Sequence, residues 1–525
     1  MWDLVIRNAR VVDGSGVAWF RADVAVKDAE IKKIGSIPKE DPADRCVDAK
    51  DKVLAPGFID IHNHADFDLL RDPSGGISLR QGVTTIFVGQ CGLTPAPVTT
   101  ETAPLLNQYC GFIKTGETDW RWRSFADWTA CLDALPLGLS VGTFVGQGTI
   151  RLAVMGFDDR LPTRQQLDRM RDHAREASDA GAFGMTTGLG YPPGFFSTDE
   201  EIEFVAGGIA ERRGLYLSHM RNQAEGSPES VRATINVGRV NNIPVQIVHL
   251  KAKAADRSDM AAHLFSIIED ARKEGVDVTV DQYPYTASST TLRTLIPNHL
   301  HNEGVAGILT ALENPAKRKE IAREMRDWPR CMTSIERGIM LMDVPMTPEF
   351  RGMTLSQASQ TLGIDEVDAL LELICKNRGN DSACFFTLDE DDVRNVMAHP
   401  LVMIGSDGSH PAPGTLCHPR TAGTFPRVLG RYVRELRLLT LEEAVRKMTS
   451  LPAARLSLWR KGLLREGMDA DMVLFDPDLI LDGSTHENPL APPIGIEKVW
   501  VAGVLACENN ELTPFRKGRL LRYRP

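Results

Sequence analysis

Short apolar runs alternate with amphipathic segments through the middle of this chain. Apolar, β-prone runs of roughly four to eight residues, bounded by turn residues, predict buried strands. Eight such strands are predicted at 57–62, 84–89, 139–146, 182–187, 215–218, 244–249, 276–281 and 402–406. Amphipathic helices separate most of them, with Thr163 and Thr198 as N-cap residues of helices at 163–180 and 198–213. Eight β–α units of this kind predict a (β/α)8 TIM-like barrel of the α/β class.

The two chain ends carry a different pattern, of short apolar runs separated by turns. Residues 1–55 contain four such runs, and residues 465–525 contain the runs Met472–Phe475 and Val499–Val501. We expect these segments to pair in a small β-sandwich domain built from both chain ends. The barrel is then the inserted domain, over residues 56–464.

One interval breaks the barrel rhythm. Residues 282–400 separate the seventh predicted strand from the eighth, which is far longer than a standard crossover. Helices are predicted at 355–362 and 367–377, which leaves about 285–345 as an irregular insertion. Segments that follow a barrel strand lie at its catalytic face, so we expect this insertion to cover the active site.

Composition and charge narrow the class of partner and the cellular setting. A net charge of −10 argues against a nucleic acid or an anionic membrane as the partner. No apolar stretch reaches the length of a spanning helix, so no membrane partner is expected. The nine cysteines have irregular spacing, which predicts no disulfide framework and favours a reducing, cytoplasmic location. An oligomer is compatible with these features, which leave the subunit number open.

Residues with metal-binding side chains follow five of the predicted strands. Active sites of such barrels lie at the C-terminal ends of the strands. The residues found there are His62, His64, Cys91, His219, His249 and Asp407. Each of them alone is more simply a core or turn residue. Four of only 12 histidines at strand ends is an improbable coincidence, however, and the set as a whole predicts a metal site with zinc-type ligands.

The sequences around these positions resemble one known family. Gly57–His64 is similar to the opening signature of the amidohydrolase superfamily, and further segments resemble its N-acyl-D-amino acid deacylase (D-aminoacylase) branch. These segments are Gly89–Gly92, Gly188–Gly194, Ser218–Arg221, Val248–Lys251, Asp281–Tyr285, Gly405–Gly408, His418–Arg420 and Gly467–Phe475. The resemblance covers nearly the whole chain and is weakest over about 295–400. It implies hydrolysis of the linear amide of a small N-acyl amino acid, and it is the sole source of the expected D-preference.

The resemblance also implies a ligand set for zinc. Many amidohydrolases bridge two metals with a carboxylated lysine after the fourth strand, but 182–187 contains no lysine. The deacylase branch uses a cysteine after the second strand, which is the position of Cys91. Carried over, Cys91, His219 and His249 hold one tight Zn²⁺. The other three residues, His62, His64 and Asp407, form a second, weakly occupied position.

Roles in catalysis and substrate binding follow from the same resemblance. Asp407 beside the metal is placed to take a proton from water and pass it to the leaving amine. The family implies that Lys251, Tyr191 and Tyr283 bind the substrate carboxylate. Arg293, inside the insertion, is a further candidate contact to the substrate side chain.

Three other readings remain open from the sequence. A cyclic amidase of the hydantoinase or dihydroorotase type would need the bridging lysine that is missing. A mononuclear deaminase would explain the histidines and Asp407, but it would leave Cys91 without a role. A non-catalytic binding barrel usually loses ligands, and none is lost here.

Overall fold

The centre of the fold is a ring of parallel strands, seen in a computed structural model that describes residues 1–114, 116–252 and 259–524. The barrel strands are Phe58–Asp60, Val83–Val88, Ser140–Thr143 continued by Val145–Gly146, Gly184–Gly188, Leu215–His219, Val245–Ile247, Val278–Gln282 and Val402–Ile404. Each strand pairs in parallel with the next. A backbone bridge between Asn63 and Gly408 closes the ring between the first and eighth strands. The predicted (β/α)8 barrel is confirmed, with strand ends displaced by a few residues.

Helices surround this ring and lie mostly between consecutive strands. Their bounds are Asp68–Arg71, Gly76–Arg80, Ala103–Tyr109, Gly111–Ile113, Phe125–Asp133, Gln147–Met155, Arg164–Asp179, Gly194–Phe196, Asp199–Ala210, Ser227–Asn241, Met260–Lys273, Arg420–Arg427, Val428–Glu435, Leu441–Met448 and Ser450–Arg455. The predicted caps are present, since Thr163 and Thr198 accept hydrogen bonds from the backbone of Gln166 and Glu201. None of the described helices combines the length and apolar character needed to cross a bilayer.

Strands from both chain ends form one sheet beside the barrel. Among the described residues these strands are Leu4–Val11, Phe20–Lys27, Glu30–Gly35, Cys46–Asp48, Val53–Pro56, Met472–Phe475, Ile496–Val501, Val504–Glu508 and Glu511–Leu512. Met472–Phe475 returns from the barrel and pairs antiparallel with Val53–Pro56, which leads into it. This pairing joins the chain ends, as the apolar runs indicated, while domain boundaries at 55 and 465 stay a prediction.

The segment between the seventh and eighth barrel strands folds as a unit with its own core. Its strands are Ser288–Thr290, Ile339–Leu341 and Ala383–Phe385, and its helices are Leu292–Leu295, Asn298–His301, Gly304–Glu313, Pro315–Asp327, Pro329–Arg337, Pro348–Phe350, Leu355–Leu362 and Glu366–Lys376. The next helix, Glu390–Met397, packs its apolar side chains into the barrel core instead. The expectation of irregular structure over 285–345 was wrong. Three helices fill 304–337, because apolar side chains such as Ile308, Ile321 and Ile335 pack into a core separate from that of the barrel.

Candidate metal centre and substrate cavity

The six predicted ligands converge at the C-terminal end of the barrel. They form two groups, one of His62, His64, Cys91 and Asp407, the other of Cys91, His219 and His249. Within each group the candidate ligand atoms all lie within 4.8 Å of one another. Cys91 belongs to both groups, so its sulfur lies where the two positions meet. The convergence follows from the topology, because the six residues end or follow five of the parallel strands, with His62 and His64 after the same strand.

Distances between side-chain atoms define the two groups. The Sγ atom of Cys91 lies 3.5 Å from Nε2 of His62 and 3.6 Å from Nε2 of His249. Nε2 of His249 lies 2.9 Å from Nδ1 of His219. Oδ1 of Asp407 lies 3.1 Å from Nε2 of His64 and 3.4 Å from Nε2 of His62. Nitrogen, sulfur and carboxylate oxygen at one point match the donor set that zinc prefers.

The protonation states of these side chains also fit a metal. Burial opposes a charged Cys91, but the neighbouring His62 charge and hydrogen bonds from His219 and His249 lower the pKa of Cys91 well below its usual value. Burial lowers the pKa of His219, and it lowers the pKa of His249 to about 4. A thiolate beside two neutral imidazoles is the form in which these residues bind zinc.

Unusual backbone conformations aim three of the ligands. Cys91, His249 and Asp407 have φ values of 55°, 34° and 51°, in the left-handed region that residues with a Cβ atom seldom adopt. Gly89 precedes Cys91 with φ of 84°, and a Cβ atom there would lie 2.2 Å from the carbonyl oxygen of Phe144. Only glycine fits that position, so it permits the sharp turn that brings Cys91 under the barrel mouth.

Asp281 supports the ligands from behind, a role that the sequence did not single out. Its Oδ1 atom lies 3.2 Å from Nδ1 of His62 and accepts a 2.8 Å hydrogen bond from the backbone N–H of His249. Its Oδ2 atom accepts from Nε2 of Gln246 at 2.5 Å. A buried carboxylate of this kind fixes the orientation of a ligating imidazole. The available signal was its place at the end of the seventh strand.

Arg420 is a second site residue that the sequence did not single out. Its Nη1 atom lies 2.9 Å from Oδ2 of Asp407, and its guanidinium carbon lies 4.8 Å from the ring centroid of Tyr283. Although burial opposes the charge on Asp407, Arg420 and the neighbouring His62 hold its pKa well below the usual range. The segment His418–Arg420 was noted as a resemblance, which was the signal for this residue.

A cavity of about 1110 Å³ opens above the ligands, between the barrel mouth and the insertion. The three predicted carboxylate-binding residues, Tyr191, Lys251 and Tyr283, all line it. Nζ of Lys251 donates to Oε1 of Gln223 at 2.6 Å and lies 3.2 Å from Nδ1 of His249. The hydroxyl of Tyr191 donates to the backbone carbonyl of Cys91 at 2.6 Å. The buried hydroxyl of Tyr283 has no hydrogen-bond partner among the described residues, so it is available to a ligand.

Arg293 is the one predicted substrate-binding residue that is absent from the described lining of this cavity. The described residues that line the cavity include its neighbours Thr290 and Thr294 but not Arg293 itself. Its Nε atom donates to Oγ1 of Thr291 at 3.2 Å. Burial lowers the pKa of Arg293, and the charge of Asp381 offsets part of that effect. Arg293 therefore contacts other residues of the insertion, such as Thr291, and not the cavity.

A closed barrel with histidine, cysteine and aspartate side chains at its strand ends defines a metal-dependent amidohydrolase scaffold. The chain belongs to the amidohydrolase family, whose profile matches residues 45–506. It is 34% identical to a D-aminoacylase of Alcaligenes xylosoxydans xylosoxydans, over 99% of this chain and 97% of that protein. It is also 34% identical to an N-acyl-D-glutamate deacylase of that organism, over 99% of this chain and 96% of the relative.

Solved structures give the same assignment. A D-aminoacylase studied for the role of its binuclear metal centre superposes with a TM-score of 0.84 at 31% identity, covering all of both chains. The N-acyl-D-glutamate deacylase of Bordetella bronchiseptica, complexed with zinc and a phosphonate inhibitor, also gives 0.84, at 33% identity over 99% of this chain and 100% of that one. The predicted family and its D-aminoacylase branch are confirmed.

Proposed function

We propose that this protein is a zinc-dependent hydrolase that cleaves the amide of N-acyl-D-amino acids to a carboxylate and a free D-amino acid. The observation that carries the proposal is the buried Cys91 at the meeting point of both ligand groups. The fourth barrel strand, Gly184–Gly188, contains no lysine, which disfavours a cyclic amidase with a bridging lysine. Full-length similarity to D-aminoacylase supports the linear N-acyl amino acid as substrate.

The metal would be held by residues of this chain as the sequence predicted. Cys91, His219 and His249 would hold the tight zinc, and His62, His64 and Asp407 would form the second position. Bound zinc supplies a water whose pKa is about 7 and an acid that polarises a carbonyl oxygen.

Asp407 is the proton-transfer residue in this proposal. Arg420 and the neighbouring imidazoles keep the carboxylate of Asp407 ionised, so it enters the reaction able to accept a proton. Its Oδ1 atom faces the ligand group, while Arg420 holds Oδ2. Oδ1 is therefore the atom that takes the proton and returns it to the leaving amine.

The substrate α-carboxylate would bind beside this group. The ammonium of Lys251 offers a charge, and the unpartnered hydroxyl of Tyr283 offers a hydrogen bond. Tyr191 lines the same wall, where its hydroxyl fixes the carbonyl of Cys91. Of the three relatives of 32–34% identity, one is named for D-glutamate and one for D-aspartate, and the third, D-aminoacylase, is named for no particular side chain. Identity alone therefore does not select a side chain.

A cytoplasmic location is part of the proposal. Its support is that all nine cysteines lie in the described residues and none is paired in a disulfide. Free thiols, several of them buried, are typical of a reducing compartment.

One experiment tests the function directly. Purified protein with measured zinc content should release free amino acid from N-acetyl-D-amino acids, and much more slowly from the L-enantiomers. Hydantoins and adenosine-type amines, tested in parallel, should not be consumed. Zinc-loaded protein that turns over no N-acyl amino acid, or that opens hydantoins instead, would contradict the proposal.

A further inference from the structure

One helix of the insertion turns a polar, cationic face toward the cavity. In the helix Pro329–Arg337, the residues Arg330, Thr333, Ser334 and Arg337 line the cavity. Their spacing of three and four residues places them on one side of the helix. Cys331 and Ile335, between them, are buried in the core of the insertion. This side of the helix therefore faces the cavity, and the opposite side packs into the core of the insertion.

Arg330 stands out on this face because it lacks an acidic partner. Most other arginines at or beside the cavity are neutralised, as Arg337 by Asp389 and Arg420 by Asp407. No described residue forms an ion pair or hydrogen bond with the Arg330 guanidinium, whose carbon lies 5.6 Å from the ring centroid of Trp328. The side chain is exposed to the cavity, and although the surrounding protein lowers its pKa, a guanidinium remains charged at neutral pH.

An unpaired guanidinium in a partly enclosed cavity is suited to binding an anion. Planar N–H donors match a carboxylate in two-point geometry, and the low local dielectric strengthens the attraction. The protein as a whole has a net charge of −10, so general surface charge does not account for the cation. Lys251, at the barrel floor, is already assigned to the α-carboxylate. Arg330, on the insertion, is a further cation in the cavity lining, and its guanidinium is free to bind a second negative group on the substrate.

We propose that Arg330 binds a second carboxylate of the substrate, so that the preferred N-acyl amino acids are dianionic. This inference rests on the proposed function. The second carboxylate has two sources, the amino-acid side chain or the acyl group. Either source presents the same carboxylate group to Arg330. Substrates that carry only one of the two distinguish them.

The test compares Arg330→Met with the wild type on three substrates. These are N-acetyl-D-glutamate, N-succinyl-D-leucine and the neutral reference N-acetyl-D-leucine. Loss of one charge-assisted contact should lower kcat/KM for the dianionic substrate, relative to the reference, by about ten- to a hundred-fold, chiefly through KM. A fall for the glutamate substrate assigns Arg330 to the side chain, and a fall for the succinyl substrate assigns it to the acyl group. Either fall supports the second-carboxylate site.

A matched control and a charge reversal make the test specific. Arg323→Met removes an exposed arginine from the preceding helix Pro315–Asp327, outside the cavity lining, and should leave all three ratios unchanged. Where the glutamate substrate assigns Arg330 to the side chain, Arg330→Glu should raise kcat/KM for N-acetyl-D-lysine relative to the reference. Zinc content is measured in each variant. Unchanged ratios in a folded, zinc-loaded Arg330→Met protein would overturn the inference, whereas a wild type inactive on all N-acyl amino acids would instead overturn the proposed function.

Discussion

Replacing Asp281 with asparagine should separate the charge of this residue from its hydrogen bonds. The asparagine oxygen can take the position of Oδ1, which accepts from the backbone N–H of His249 and faces Nδ1 of His62. The new amide nitrogen then faces Gln246. The Oε1 atom of Gln246 has no partner among the described residues, so a reversed Gln246 amide can accept from that nitrogen. Asp281→Asn therefore keeps three hydrogen bonds and removes one negative charge.

The size of the expected loss follows from the role of this carboxylate. A charged partner raises the basicity of a ligating imidazole, which here is His62 of the second metal position, and losing it typically weakens metal binding at that position about 10- to 100-fold. That factor corresponds to about 1.4–2.7 kcal/mol of binding free energy. Asp281→Leu should cost more, because it also leaves the N–H of His249 and the amide of Gln246 without acceptors. Each buried group left unsatisfied costs about 1–3 kcal/mol of folding stability.

Two measurements distinguish these effects. Zinc affinity is obtained by competition with a chromophoric chelator, and stability by urea unfolding of the metal-free proteins. Asp270→Asn, an exposed change on the helix Met260–Lys273, serves as the control and should alter neither value. The reasoning is refuted if folded Asp281→Asn binds the second zinc, at the position that includes His62, as tightly as the wild type. Equal loss in the asparagine and leucine variants would show that the charge, not the hydrogen bonds, matters at this position.

Four further outcomes are expected. Cys91→Ala should lose the tight zinc, and full retention by elemental analysis would contradict the ligand assignment. Asp407→Asn should keep most of that zinc but lower kcat by about 10²-fold or more, which a near-normal turnover would disprove. Lys251→Met should weaken hydrolysis of N-acyl amino acids about ten- to a hundred-fold and affect the hydrolysis of their methyl esters much less. Equal losses on acids and esters would show that Lys251 does not bind the substrate carboxylate. Burial, aided by Arg293, lowers the pKa of His301 to about 4. Because an unfolded histidine titrates near 6.5, this residue's contribution to stability, up to about 3 kcal/mol, is present above pH 6.5 and is lost as pH falls toward 4. Between pH 7 and pH 4.5, urea unfolding should show a smaller loss of unfolding free energy for His301→Gln than for the wild type. Identical losses would argue against a role of His301 in the pH dependence of stability.

The ligands were predictable because their positions follow from local rules. A buried strand is visible as an apolar run, and its C-terminal end is the catalytic side of a barrel. Their spacing of two residues at the end of such a strand puts the side chains of His62 and His64 on one side, and the other strand-end ligands make the pair part of a metal site. Arg420 could not be placed in this way, because its contact with Asp407 spans 13 positions of irregular chain and depends on how that segment folds back. Nothing in the local pattern separates Arg420 from a surface arginine.

The insertion was harder to predict because its helices are stabilised by contacts with one another. Val305, Ile308 and Leu312 do show a helical spacing, but their helix is short, and its partner faces lie on helices far along the chain. Short helices gain most of their stability from such packing. Which side of Pro329–Arg337 faces the cavity also depends on that packing. The position of Arg330 in the cavity lining could therefore be seen in the three-dimensional structure but not in the sequence.

Three ligand residues with strained backbone conformations are supported by hydrogen bonds within the protein. A left-handed conformation costs a residue with a side chain about 1–3 kcal/mol, and Cys91, His249 and Asp407 all adopt it. Each is tied to another part of the site by a hydrogen bond of its backbone: the carbonyl of Cys91 accepts from Tyr191, the N–H of His249 donates to Asp281, and the N–H of Asp407 donates to the carbonyl of His62. These contacts hold the conformations through protein atoms alone. A substitution that removes one should therefore loosen the ligand geometry of the metal-free protein, and weaken zinc binding, without touching a ligand atom.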